Sequence, residues 1–81
     1  MNVEIMTIVK EVLGLDEMIH ANTDLFRLGL DSLGVLKIVA HIEDAFDIEI
    51  EDEDITFDNL QTIEAIVQML SKYDRGVDKD D

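Results

Sequence analysis

The chain contains no cysteine and no proline, and only four of its 81 residues are glycine, at positions 14, 29, 34 and 76. Without cysteine there is no disulfide, no thiolate metal site and no cysteine nucleophile. Without proline and with so few glycines, punctuation is too sparse for a turn-rich β fold, and helices are favoured. Basic residues are also scarce. Six Lys and Arg stand against 20 Asp and Glu, for a formal net charge of −14. That excludes nucleic acid as a partner, because phosphate binding needs a basic surface that releases counterions. An anionic membrane would repel the same surface. No apolar run is long enough for a signal peptide or a membrane span, so a cytoplasmic protein with no membrane insertion is expected.

What remains is 47% hydrophobic, too much for intrinsic disorder despite the charge. The length allows one domain, with a thin core and modest stability. Three apolar stretches carry helical periodicity. In the first, Met6, Val9 and Leu13 form the row, Ile5, Ile8 and Val12 widen it, and Gly14 is the stop signal. In the second, Val35, Val39, Ile42 and Phe46 step by four, three and four. In the third, Ile63, Ile66, Val67, Leu70 and Tyr73 do the same. The pattern predicts helices at about 2–14, 32–46 and 62–73, with a short helical turn near 56–60.

The long connection 15–31 holds Leu25, Phe26, Leu28 and Leu30, too apolar for a floppy loop, and is expected to fold back onto the helices. Residues 47–51 alternate like a strand, but five residues without a partner strand make no sheet. The prediction is an all-α domain over 1–73. It is a small four-helix bundle of three main helices and one short one, with a long loop between helices 1 and 2. A flexible charged tail is expected over 74–81.

Chemistry has few places to reside. Serine occurs at 32 and 71 only. Ser71 lies in the last helical stretch among Leu70, Lys72 and Tyr73 and reads as a surface polar residue. Ser32 follows Gly29-Leu30-Asp31, a turn signal and then an N-cap residue, so it falls at the first position of the second helix. Free backbone N–H groups and the positive end of the helix dipole favour a phosphate ester there. Composition alone favours the plainer reading of Asp31-Ser32 as an ordinary capping pair.

A serine nucleophile needs a base. His41 is nine residues, two and a half helical turns, from Ser32 and points away, and nothing around His20 suggests a triad. No nucleophile elbow and no glycine-rich phosphate loop is present. No catalytic residue is therefore expected. The acidic run invites a calcium reading, but an EF-hand loop needs Gly at its sixth place. Counting from Asp47 that place is Asp52, and counting from Asp52 it is Phe57, so no metal site is expected.

The stretch Asp24-Leu25-Phe26-Arg27-Leu28-Gly29-Leu30-Asp31-Ser32-Leu33 resembles the phosphopantetheine attachment motif of acyl carrier proteins, with Gly-x-Asp-Ser-Leu at its centre. Residues 42–50 resemble the end of that family's second helix, and residues 60–66 the entry to its last helix. The resemblance implies a four-helix bundle whose Ser32, flanked by Asp31 and Leu33, carries 4′-phosphopantetheine placed from coenzyme A by a phosphopantetheinyl transferase. The chain is then a monomeric carrier and not an enzyme, with acyl groups held as thioesters. Its partners are acyl-loading, condensing and acyl-transfer enzymes with basic docking patches. Leu33, Leu36 and Ala40 match the partner-facing side of the family's second helix or the mouth of its acyl cavity, although core packing would serve Leu33 and Leu36 almost as well.

Two positions depart from the fatty-acid pattern. Where an acid is usual two and five residues after the serine, this chain has Gly34 and Lys37. Gly34 is expected to loosen the helix start. Acidic recognition then shifts to Glu43, Asp44 and the run Glu51, Asp52, Glu53 and Asp54, and the loop before the last helix is longer than usual. These departures lean toward a specialised carrier for a dedicated polyketide, peptide, lipid or modification pathway, away from housekeeping fatty acid synthesis. The alternatives are an aminoacyl, D-alanyl or peptidyl carrier and, from another class, an acidic helical adaptor without a prosthetic group.

Overall fold

The computed structural model describes residues 2–78, with side chains through Tyr73. Helix α1 spans Asn2–Leu13, α2 Ser32–Phe46, α3 Phe57–Leu60 and α4 Ile63–Asp78. Single 3-10 turns occur at Leu25–Leu28 and Asp52–Asp54, and there is no strand among the described residues. The expected all-α bundle with a long first loop is the fold found. No described helix is long and apolar enough to cross a membrane.

Local chemistry sets the boundaries. Gly14 ends α1 at φ 68°, in the left-handed region open to a residue without Cβ, and the Leu15 N–H returns to the Lys10 carbonyl at 2.9 Å. Asp47 plays the same part after α2 at φ 55°, its N–H donating to the Glu43 carbonyl. Thr56 caps α3, accepting from the Asn59 N–H at 3.2 Å, and the Thr62 hydroxyl accepts from the Ala65 N–H at 3.0 Å in the first turn of α4.

Helix α1 packs on α2 and α4, and α3 packs on α4. The buried faces are rotated from the rows expected. In α1 the buried residues are Ile5, Ile8 and Val9, with Met6 and Leu13 at the margin. In α2 they are Gly34, Ile38, Val39 and Ile42, while Val35 and Phe46 are half-buried. In α4 Ile63, Ile66, Met69 and Leu70 are buried and Val67 and Tyr73 flank them. A helix facing two neighbours buries the middle of a wide apolar arc, and a single row of four residues can trace its edge instead.

Helix α4 also runs five residues past its predicted end. Hydrophobic periodicity marks the packed face of a helix and not its hydrogen-bonded length. The segment expected as a tail over 74–81 therefore begins within α4, and its last part, 79–81, lies outside the described residues.

The long loop is tied down as expected. Leu25 is completely buried. Its N–H donates to the Gln61 carbonyl at 2.8 Å, and the Glu64 N–H donates to the Ala21 carbonyl at 2.9 Å. Asp24 caps the 3-10 turn, accepting from the Phe26 N–H at 3.1 Å. Gly29 closes that turn at φ 111°, which favours glycine, and aims the chain into α2.

The acidic run does not behave as a unit. Glu51, Asp52 and Glu53 are exposed, but Asp54 is only 9% exposed. Its carboxylate pairs with Lys72 Nζ at 2.8 Å and accepts from the Tyr73 hydroxyl. These donors, Lys72 first, hold the Asp54 carboxyl below its usual value against the opposing effect of burial. Asp54 in turn holds the Lys72 ammonium above its usual value. Burial first, and Asp54 second, push the Tyr73 phenol up.

A depressed carboxyl contributes stability above its unfolded pKa and loses it as pH falls through the folded value. A raised ammonium contributes below its unfolded pKa and loses that as pH rises through the folded value. The advantage of the native chain over Asp54→Asn should therefore be level at intermediate pH. It should shrink below pH 3.8, the ordinary Asp value, and above pH 10.5, the ordinary Lys value. Urea unfolding of both proteins at fixed ionic strength reads this out, and a difference that stays flat through both limits would contradict it.

Candidate phosphopantetheine attachment site

Ser32 is the first residue of the 15-residue helix α2, and its side chain is exposed. Asp31 precedes it in extended geometry as the N-cap, its carboxylate accepting from the Gly34 N–H at 2.8 Å. The capping duty thus falls to Asp31 and leaves the Ser32 hydroxyl free to carry a substituent. The open end of α2 supplies backbone N–H groups and a partial positive charge, both favourable to a phosphodiester. Neither His20 nor His41 is buried. Among the described residues no cluster of three His, Asp or Glu side chains could hold a metal ion.

Beside Ser32 runs an open, largely apolar groove of about 380 Å³, lined by Phe26, Val35, Leu36, Ile55, Thr56 and Phe57. Phe26 and Phe57 stack along it with ring centroids 4.4 Å apart. Of these residues only Leu36 was legible as a site residue from the sequence. Phe57 lies 25 positions from Ser32, and no spacing rule joins them; the α2–α3 connection does.

The other residues singled out from the sequence divide between two sides of α2. Leu36, 59% exposed, faces the groove, whereas Leu33, 60% exposed, and Lys37 border a shallow depression with Val12, Leu13 and Asp31. Core packing is thereby excluded as the role of Leu33 and Leu36. Ala40 and Asp44 are exposed on the same helix. Glu43 is half-buried, and its carboxylate accepts from the Ile50 N–H at 2.8 Å, which fixes the loop after α2. Asp54 is not available to a partner, because it is buried against Lys72 and Tyr73. Among the described residues Lys37 has no ion-pair partner.

Gly34 does not play the loosening part expected of it. It is buried, and a Cβ at this position would meet Leu30 Cδ1 at 2.8 Å and Asp31 Oδ1 at 3.3 Å. It permits close packing of the helix start against the residues before it, and does not loosen that start.

A model of the family described as "Phosphopantetheine attachment site" matches residues 3–70. The acyl carrier protein of Syntrophobacter fumaroxidans (strain DSM 10017 / MPOB) is 40% identical over 75 residues, covering 89% of each chain. That of Buchnera aphidicola subsp. Baizongia pistaciae is 34% identical over 72 residues, covering 86% of this chain and 90% of its own. Among solved structures, the carrier protein from Agrobacterium tumefaciens superposes with a TM-score of 0.79 at 30% identity, over 88% of this chain and 99% of its own. It was solved with an engineered Bradyrhizobium japonicum glycine:carrier protein ligase and AMP. The family match runs from α1 into α4, and the chain belongs to the acyl carrier protein family: it is a phosphopantetheine-bearing carrier and not an enzyme.

Proposed function

We propose that Ser32 is the residue that bears 4′-phosphopantetheine, and that the protein, as a cytoplasmic monomer, carries carboxylic acyl intermediates of a specialised biosynthetic pathway on that arm. The observation that carries this reading is the exposed Ser32 hydroxyl at the first position of α2, with an apolar groove alongside. The residues present fit the group. The helix start suits the phosphodiester, and the groove offers apolar surface to whatever the arm holds. When bound, the arm supplies a thiol that forms thioesters. This chain's own part is to expose the hydroxyl, to leave capping to Asp31, and to offer a surface to the enzymes that load and unload it.

A second reading, an aminoacyl carrier, is favoured by the solved relative that was crystallised with a glycine ligase. The two curated relatives, both acyl carrier proteins, favour the first. Mass spectrometry of protein isolated from its native host decides between them. A hydroxylamine-sensitive carboxylic acyl thioester on the arm is expected. A glycyl or other aminoacyl thioester would replace the acyl reading, and protein without the arm would refute the carrier reading.

The specialised-partner reading rests on Lys37. Its free positive charge stands where basic docking patches meet acids, and like charges across an interface lower encounter rate and affinity. Lys37→Glu should therefore improve loading and elongation by ordinary fatty acid synthesis enzymes, with the gain shrinking at high salt. Equal activity of the two proteins with those enzymes would remove this argument. Gly34→Asp is unsuitable for the same test. It would press on Leu30, add a carboxylate beside Asp31 and carry an overpacking cost of about 1–3 kcal/mol.

A further inference from the structure

Asp54 is the one buried charged residue among the described residues. A buried carboxylate is tolerated where its bonds are satisfied, and this one is held at both ends. On the side-chain end, Lys72 Nζ reaches Oδ1 and Oδ2, each at 2.8 Å. The Tyr73 hydroxyl donates to Oδ2 and also accepts from the Glu51 N–H at 2.9 Å. On the backbone end, the Asp54 carbonyl accepts from the Thr56 N–H at 3.0 Å and from Asn59 Nδ2 at 2.8 Å. One residue therefore ties the 51–54 turn to α4 and to the start of α3.

The residues that follow it form one wall of the groove beside Ser32. Ile55, Thr56 and Phe57 line that groove, and Phe57 stacks on Phe26. Phe57 is 57% exposed, so its own burial anchors it weakly. Helix α3 is four residues long, too short to persist on intrinsic helical stability. The placement of this wall depends on what holds its ends.

We propose that Asp54 is a positioning residue for the attachment site, fixing the Ile55–Phe57 wall of the Ser32 groove and so setting how readily the phosphopantetheinyl transferase engages the carrier. The inference rests on the carrier reading above. It gives the acidic run two unlike roles, with Glu51, Asp52 and Glu53 facing solvent and Asp54 acting through the fold.

The test is transferase kinetics with coenzyme A at a temperature where every variant is folded, with amide hydrogen exchange measured in parallel. The variants are Asp54→Ala and Tyr73→Phe. The control is Val67→Ala, a half-buried α4 residue that does not line the groove. In Asp54→Ala the KM for the carrier should rise about three- to tenfold at unchanged kcat, because apparent affinity falls with the fraction of molecules in the competent arrangement. The Thr56 amide should exchange faster than in Val67→Ala. Tyr73→Phe should shift KM in the same direction, and its result replaces that of Asp54→Ala if the latter does not fold. Val67→Ala should lower stability and leave KM at the native value.

The proposal is overturned if KM stays at the native value in Asp54→Ala, or if Val67→Ala raises it equally. Should the native chain accept no phosphopantetheine at all, the carrier reading fails and takes this inference with it. A native chain that loads beside an Asp54→Ala protein of unchanged KM refutes this inference alone.

Discussion

Leu25→Ala is expected to destabilise the protein by about 2–5 kcal/mol, the range for emptying a fully buried leucine site. The residue lies in the long first loop, where truncations are ordinarily mild, yet its side chain is completely buried. Its backbone N–H also bonds to the Gln61 carbonyl, so the cavity would open where the loop meets the junction of α3 and α4. A chain of this length has about 4–12 kcal/mol of total stability at ordinary values per residue, and the loss would be a large share of it. The corresponding fall in Tm is on the order of 10–30 °C. Leu33→Ala is the matched comparison. That leucine is eight positions along the chain and 60% exposed, and its truncation should change stability by about 0.5 kcal/mol or less. Thermal and urea unfolding of the two variants would show the contrast. Equal losses would mean that the loop is not part of the core.

The legible parts of this molecule are those whose chemistry is local. Asp31 before Ser32 announces a helix start because a carboxylate three residues ahead of a free N–H can bond it, and the Asp31–Gly34 bond does so. Gly14 marks a helix end for an equally local reason, its left-handed backbone. The short helix at 57–60 was legible, as a turn near 56–60, from the apolar residues Ile48, Ile50, Ile55, Phe57 and Leu60, and the Thr56 cap emerged only with the structure. Ser32 could be singled out because motif, cap and helix dipole all converge on one position.

The illegible parts depend on which elements meet. Four consecutive acids at 51–54 look alike in the sequence, and only the arrival of Lys72 and Tyr73 from α4 turns Asp54 inward. Lys72-Tyr73 at the end of an apolar stripe is the signal that such a partner was available. Gly34 looked like a missing docking acid because the approach of Leu30 to the place a Cβ would take is a packing fact with no pattern along the chain. The rotation of each buried face has the same origin, since an apolar arc of five or six residues does not say which of them will be central. Phe57 reaches Ser32 only through the path of the α2–α3 connection.

The central claim is that the phosphopantetheine arm is attached at Ser32, and intact-mass measurement after incubation with coenzyme A and a broad-specificity phosphopantetheinyl transferase tests it most directly. The chain has one other hydroxyl of the same kind, Ser71. It is exposed, but it lies inside α4 and its hydroxyl donates to the Gln68 carbonyl at 2.7 Å, away from any free helix start. The native protein should gain one phosphopantetheinyl group, Ser71→Ala should gain the same, and Ser32→Ala should gain none. Modification that persists in Ser32→Ala, or a native protein whose mass does not change, would contradict the account.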